Sequence, residues 1–205
     1  MNNISKYKEI IVDCDSNLYI DGSRNIHITS PCLCNIYFLT INKSTNINIY
    51  LDCKSSSVNF YFSSINIDDN KLEVNVYHNA EDTISHVYNH GVNLDNNKLD
   101  FSINGYIPKK SVNANCNQDN EIINIRDGKS TICPRLYIDC YDSNSSHSAY
   151  IGRFRNDDLF YLESRGLDEK EAYKLLIKSF LIPSSFENKD EYVKKINEVE
   201  GDLFE

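Results

Sequence analysis

The stretch "NINIYLD" (residues 46–52) sets Ile47, Ile49 and Leu51 on one side of an extended chain and Asn46, Asn48 and Tyr50 on the other. Successive side chains of a strand point to opposite faces, so this alternation predicts a strand with one dry face. The stretches on either side repeat it. "KLEVNVYH" (71–78) puts Leu72, Val74 and Val76 on one face, and "SVNFYFSSINID", "KLDFSING", "EIINIRDG" and "RLYIDC" carry the period of two on to about residue 150. Clusters of Asn, Asp, Ser and Gly separate the runs and supply turns. A sandwich, a barrel and a stacked β-solenoid all fit this pattern. The asparagine-rich turns suit a solenoid, whose corners recur in the left-handed conformation that Asn tolerates.

After Arg153 the period changes to that of helices. In "NDDLFYLESRG" (156–166), Asp157 is the expected N-cap, Arg165 lies near the end and Gly166 is the residue past it. "LDEKEAYKLLIKSFLIP" (167–183) reads as a longer helix. Asp168 caps it, Glu171 completes a capping box, and Pro183 ends it. Ala172, Leu175, Leu176 and Phe180 form its apolar stripe. "DEYVKKINEV" (190–199) gives a third helix with Tyr192, Val193, Ile196 and Val199 on one side. Three short helices make no large core alone, so they are expected to pack on the end of the β region or on another protein.

Of the 205 residues, 40% are hydrophobic and 25% charged, a globular balance. A net charge of -9 argues against nucleic acid and against an anionic membrane surface as partners. "MNNISKYKEIIVDCDSN" (1–17) contains no apolar leader segment, which predicts a cytoplasmic protein with its seven cysteines as thiols.

Few residues stand out as chemical groups. Cys32 and Cys34 in "PCLCN" share a strand face, but no second ligand pair follows, so they read as core or turn cysteines. His86 and His90 share a strand face at a spacing too wide for easy joint ligation. No nucleophile elbow, dinucleotide fingerprint or phosphate loop is present; "DGKS" (127–130) lacks the first Gly of a phosphate loop. Cys140 falls in phase with Leu136 and Ile138 as a core residue. Cys133 falls in the opposite phase with Arg135 and Tyr137, which points it outward and makes it the better ligand candidate. His147, among the hydroxyls of "SSHSAYIGRF" (145–154), is either a ligand or a turn anchor.

The stretch "PRLYIDCYDSNSSHSAYIGRFRNDDLFYLESRGLDEKEAYKLLIKSFL" (134–181) resembles the carboxy-terminal signature of the SufB/SufD family. Pro134, Leu136 and Ile138 match its first part, and Ser146, His147, Ala149 and Gly152 its second. Leu159, Phe160, Tyr161, Leu162, Ser164, Arg165 and Gly166 match the third, and Ala172, Leu175 and Leu176 the fourth. The resemblance implies a right-handed parallel β-helix over residues 1–153 with a helical region over 154–205. It implies a non-catalytic scaffold subunit for iron–sulfur cluster assembly, working with a SufC-like ATPase that supplies all nucleotide chemistry. The partner chain would be a SufB/SufD-like subunit or a second copy. His147 and Cys133 become candidates for holding a transient cluster shared with that partner. Phe160, Tyr161, Arg165, Gly166, Ala172, Leu175, Leu176 and Phe180 become candidates for docking on the ATPase. Two positions depart from the family pattern: Ser145 stands where the family has Cys, and Ser148 where it has Gly or an acidic residue, which is closer to SufD. The rival expectations are a carbohydrate-active β-solenoid enzyme, which needs paired carboxylates, and a purely structural solenoid that oligomerises.

Overall fold

The computed structural model describes residues 7–186 and 189–200, the side chains of Glu191, Val199 and Glu200 excepted. The expected place of Val199 on the third helix, and the outer ends of the two expected regions, lie outside the described residues.

Twelve strands run from β1 to β12: Lys8–Val12, Ser16–Ile20, Arg24–Ile28, Leu33–Ile41, Thr45–Leu51, Ser57–Asn66, Asn70–His78, Ile84–Asn93, Lys98–Ile107, Ala114–Asn124, Lys129–Ile138 and Ser143–Gly152. They alternate between two six-stranded sheets, β1-β3-β5-β7-β9-β11 and β12-β10-β8-β6-β4-β2. Every pairing is parallel. The chain therefore winds as a β-solenoid, and each coil adds one strand to each sheet. Sandwiches and barrels built from hairpins are excluded by this connectivity.

The alternation read in the sequence is what closes the interior. Ile47, Ile49 and Leu51 are buried, as are Leu72, Val74 and Val76, in one core with Ile26, Phe60, Phe62 and Phe101. The outward phase is polar, and it stacks like on like. Asn25, Asn48, Asn75 and Asn104 pass side-chain amide hydrogen bonds from coil to coil at 2.8–2.9 Å. Beside them His27, Tyr50, Tyr77, Tyr106 and Tyr137 stack with ring centroids 4.4–4.8 Å apart and planes within 8°. A one-residue slip of any coil would break both ladders and turn its apolar residues outward, so the register is fixed from both faces. One corner column, Ser55, Asp82 and Asn113, has positive φ, as the turn composition led us to expect. Asn113 donates to Asp82 Oδ1 at 3.0 Å along that column.

Three helices follow: α1 (Asn156–Ser164), α2 (Glu169–Leu181) and α3 (Lys189–Glu200). The capping box at Asp168 is formed, with the Glu171 amide donating to Asp168 at 2.7 Å. Gly166 takes φ +95, which suits a glycine past a helix end. Asp157 is not the N-cap of α1. Arg155 occupies that position without a side-chain cap, and its guanidinium instead bonds Asp158 within the first turn.

The helices also do not sit on the end of the solenoid. They pack on the outer face of the second sheet, where the outward phase carries Leu39, Ile65 and Val92 in place of polar residues. Ile177 and Leu181 of α2 and Ile196 of α3 bury against that patch. Phe186 and Tyr192 close over Tyr37. Two hydrogen bonds fix the end of α2: Ser63 Oγ donates to the Leu181 carbonyl at 2.6 Å, and His90 Nδ1 to that of Phe180 at 2.8 Å. His90 is thus a helix anchor, its ring also stacked on Phe180. No described helix is long and apolar enough to cross a membrane.

Candidate functional site

The last coil, β11 with β12, leaves one end of the solenoid open. Among the described residues β11 pairs only with β9 and β12 only with β10, so no described strand covers the outer backbone edge of either. Residues whose phase would make them core are exposed here because no further coil covers them. Ile138 and Ile151 are examples, and Tyr137, Tyr141 and Tyr150 add aromatic surface.

His147 lies at the mouth of this end. In the β10–β12 register it stands opposite Gln118, with Ser145 opposite Cys116 and Ala149 opposite Asn120. Cys116, Gln118 and Asn120 all belong to the buried phase of β10, so His147 shares the inward phase and is exposed only because the interior opens at this coil. The interior beneath it is polar, unlike the aliphatic core of the earlier coils. Asn89 donates to Asn120 at 2.7 Å, and Asn120 to the Ser148 carbonyl at 2.8 Å. Gln118 is 1% exposed, and its amide has the Cys116 thiol as a neighbour but no oxygen or nitrogen partner among the described residues. Burial pushes the Cys116 thiol up, so it stays protonated. Gly105 makes room for the group: a Cβ there would stand 2.7 Å from Cys116 Sγ and 3.0 Å from a Leu136 methyl.

Cys133 lies elsewhere. It stands opposite Ser102 on β9, in the outward phase with Arg135 and Tyr137, half-buried beside the ladders on the first sheet. Arg135 Nη1 bonds Ser102 at 3.0 Å and so covers the same outer face. The structure therefore puts His147 on the inner face of one sheet and Cys133 on the outer face of the other. Among the described residues no three His, Cys, Asp or Glu side chains group as a metal site.

The docking candidates divide into two sets. On α1, which buries no residue, Phe160 is 73% exposed, and Arg165 lies 5.3 Å over the Tyr161 ring. Leu175 of α2 is 47% exposed. Ala172 is buried, Leu176 is half-buried, and Phe180 packs on His90 and Phe154, so these three hold α2 to its own chain. Gly166 ends α1 with open space where a Cβ would point.

Residues 34–180 match the family model described as the SUF system FeS cluster assembly, SufBD core domain. The chain belongs to the SufB/SufD family. The match runs from the second coil through the open coil, α1 and nearly all of α2. Among curated relatives, the iron–sulfur cluster assembly protein SufD of Bacillus subtilis is 35% identical over 92 residues, 44% of this chain and 21% of the relative. SufB of the same organism is 34% identical over 86 residues, 38% of this chain and 18% of the relative. A SufBD family protein of Pyrococcus horikoshii is 38% identical over 58 residues, 28% and 13% of the two chains. The alignments thus span about a fifth or less of each relative's length.

The polar mouth was missed in the sequence. Its signal was present, since Gln118 and Asn120 fall in the phase of Ile122, but an inward amide is legible only once the strand's neighbours are known.

Proposed function

We propose that this chain is a scaffold subunit on which an iron–sulfur cluster is built as cargo, in a complex with a SufC-like ATPase. The observation that carries the reading is the position of His147 within the matched core domain: exposed, in the inward phase, at the mouth of the open coil. An imidazole nitrogen there can ligate iron. The thiolates come from a partner chain, since Cys133 faces away from His147 and Ser145 replaces the nearest family cysteine.

The partner docks on the open coil. Free strand edges favour strand addition, and Ile138, Tyr141, Tyr150 and Ile151 supply the apolar contact. A second copy and a SufB/SufD-like subunit both present such a coil. The ATPase docks on α1 and the outer side of α2, through Phe160, Tyr161, Arg165 and Leu175. This chain carries out no catalysis itself, and ATP hydrolysis belongs to the partner.

Co-expression with the SufC-like ATPase of the same genome tests the reading. Affinity capture of the full chain should retain the ATPase, and the double variant Phe160→Glu, Leu175→Glu should release it while the chain keeps its circular dichroism. Equal capture by the variant, or none by the native chain, contradicts the docking surface.

A further inference from the structure

Three of the cysteines gather at the end of the solenoid opposite His147. Cys14 lies in the turn between β1 and β2 and is exposed, Cys32 lies in the turn before β4, and Cys34 is on β4. The two turns are stacked by hydrogen bonds on both sides of the first pair. The Thr29 amide donates to the Val12 carbonyl at 2.8 Å and Ser30 Oγ to that of Asp13. The Leu33 amide donates to Asp15 Oδ1 at 2.8 Å, and Ser16 stands opposite Cys34 in the ladder. Cys14 is held between these ties, across from Cys32. Adjacent parallel strands lie about 4.8 Å apart, inside the Cα separation that a disulfide spans. Burial raises the Cys32 thiol, a hydrogen bond with Ser30 works against that, and charge on Asp15, Cys14 and Asp13 adds to the rise. Cys34 is deeper, and burial pushes its thiol up to about 12.

We propose that Cys14 and Cys32 form an oxidisable dithiol, closed by hydrogen peroxide into a disulfide that staples the first coil to the second. Cys14, the exposed thiol, is attacked first. Its sulfur takes one oxygen from peroxide to give a sulfenic acid, and one water is released. The Cys32 sulfur then attacks the Cys14 sulfur, the S–O bond breaks, an S–S bond forms, and a second water leaves. A dithiol reductant reverses the step by thiol–disulfide exchange. Cys34 stays a thiol because it is buried and almost wholly protonated at neutral pH. The solenoid's own winding stacks the two turns. The proposal stands apart from the assembly role.

Peptide mapping of the full chain tests it. The reduced protein is freed of reductant, treated with hydrogen peroxide, blocked with N-ethylmaleimide in denaturant and digested with trypsin. The expected product joins peptide 9–24, holding Cys14, to peptide 25–43, two hydrogens lighter than the sum, and dithiothreitol separates them. Fragment ions place the bond on Cys32. Cys34→Ser should keep the linked product and Cys32→Ser should abolish it. Recovery of Cys14 as a thiol or a sulfinic acid, or its linkage to Cys34, to Cys53 or to a second chain, would overturn the proposal.

Discussion

Two histidines of this chain differ in how completely their surroundings commit them. His78 is buried, and its hydrogen bonds define one tautomer. Thr83 gives its only hydroxyl proton to the Ala80 carbonyl, so it accepts from His78 Nδ1 at 2.8 Å. Ser85 then donates to Nε2 at 2.9 Å. A second ring proton would break the Ser85 bond in a dry site, and burial lowers the ring from 6.5 to about 4. The unfolded chain therefore binds a proton at a higher pH than the folded one. The stabilising effect of a neutral His78 is complete above about pH 6.5 and is lost as pH falls toward 4, at a total of about 3 kcal/mol. Urea midpoints measured from pH 7 to 4 should fall, and His78→Gln should remove most of that slope whatever its effect at pH 7. His147 is the opposite case. It is exposed, and His147→Ala should leave the melting temperature unchanged to within about a degree. A fall of several degrees would make it a turn anchor and remove it from the site.

At the scale of elements, α2 shows what periodicity can and cannot settle. Asp168 and Glu171 named its start correctly because a capping box is a local device. Asp168→Ala should cost about 1 kcal/mol and lower the melting temperature by about 2–4 °C, read by calorimetry. The buried face was less legible. Ala172, Leu175, Leu176 and Phe180 form an apolar stripe, but Ile177 and Leu181 are apolar too, so the helix has a wide arc that could turn inward. The ties from Ser63 and His90 to its last carbonyls choose the arc, and they come from strands far away in sequence. Leu175 is left outside as a result. With Phe160 it belongs to the surface proposed to dock the ATPase, and at such a surface a single aromatic side chain can carry about 2 kcal/mol. Phe160→Ala alone should therefore weaken ATPase binding roughly thirtyfold, measured by calorimetric titration.

Across the whole molecule, the strands were legible because a period of two survives in short segments such as Ile47, Ile49 and Leu51. The choice among sandwich, barrel and solenoid was not, because it depends on which strands pair. The Asn and Tyr ladders encode that pairing at long spacing, and Asn25, Asn48, Asn75 and Asn104 become a pattern only when stacked. The open coil follows from the same winding: Ile138 reads as core in the sequence, Ile151 shares the inward phase opposite Ile122, and both are exposed where the described strands end at Gly152. Ile151→Lys places a charge on that surface. It should shift the assembled species to lower mass in light scattering without altering the far-ultraviolet spectrum.

The central claim is that His147 serves a cluster built at the open end. The complex of this chain with its proposed ATPase and partner subunit can be incubated without oxygen with ferrous iron, cysteine, a cysteine desulfurase, dithiothreitol as reductant and ATP, then mixed with an apo-aconitase. The account predicts that the native complex restores aconitase activity, while the His147→Ala complex, equal in composition and melting temperature, does not. Equal activation by the two complexes would contradict it.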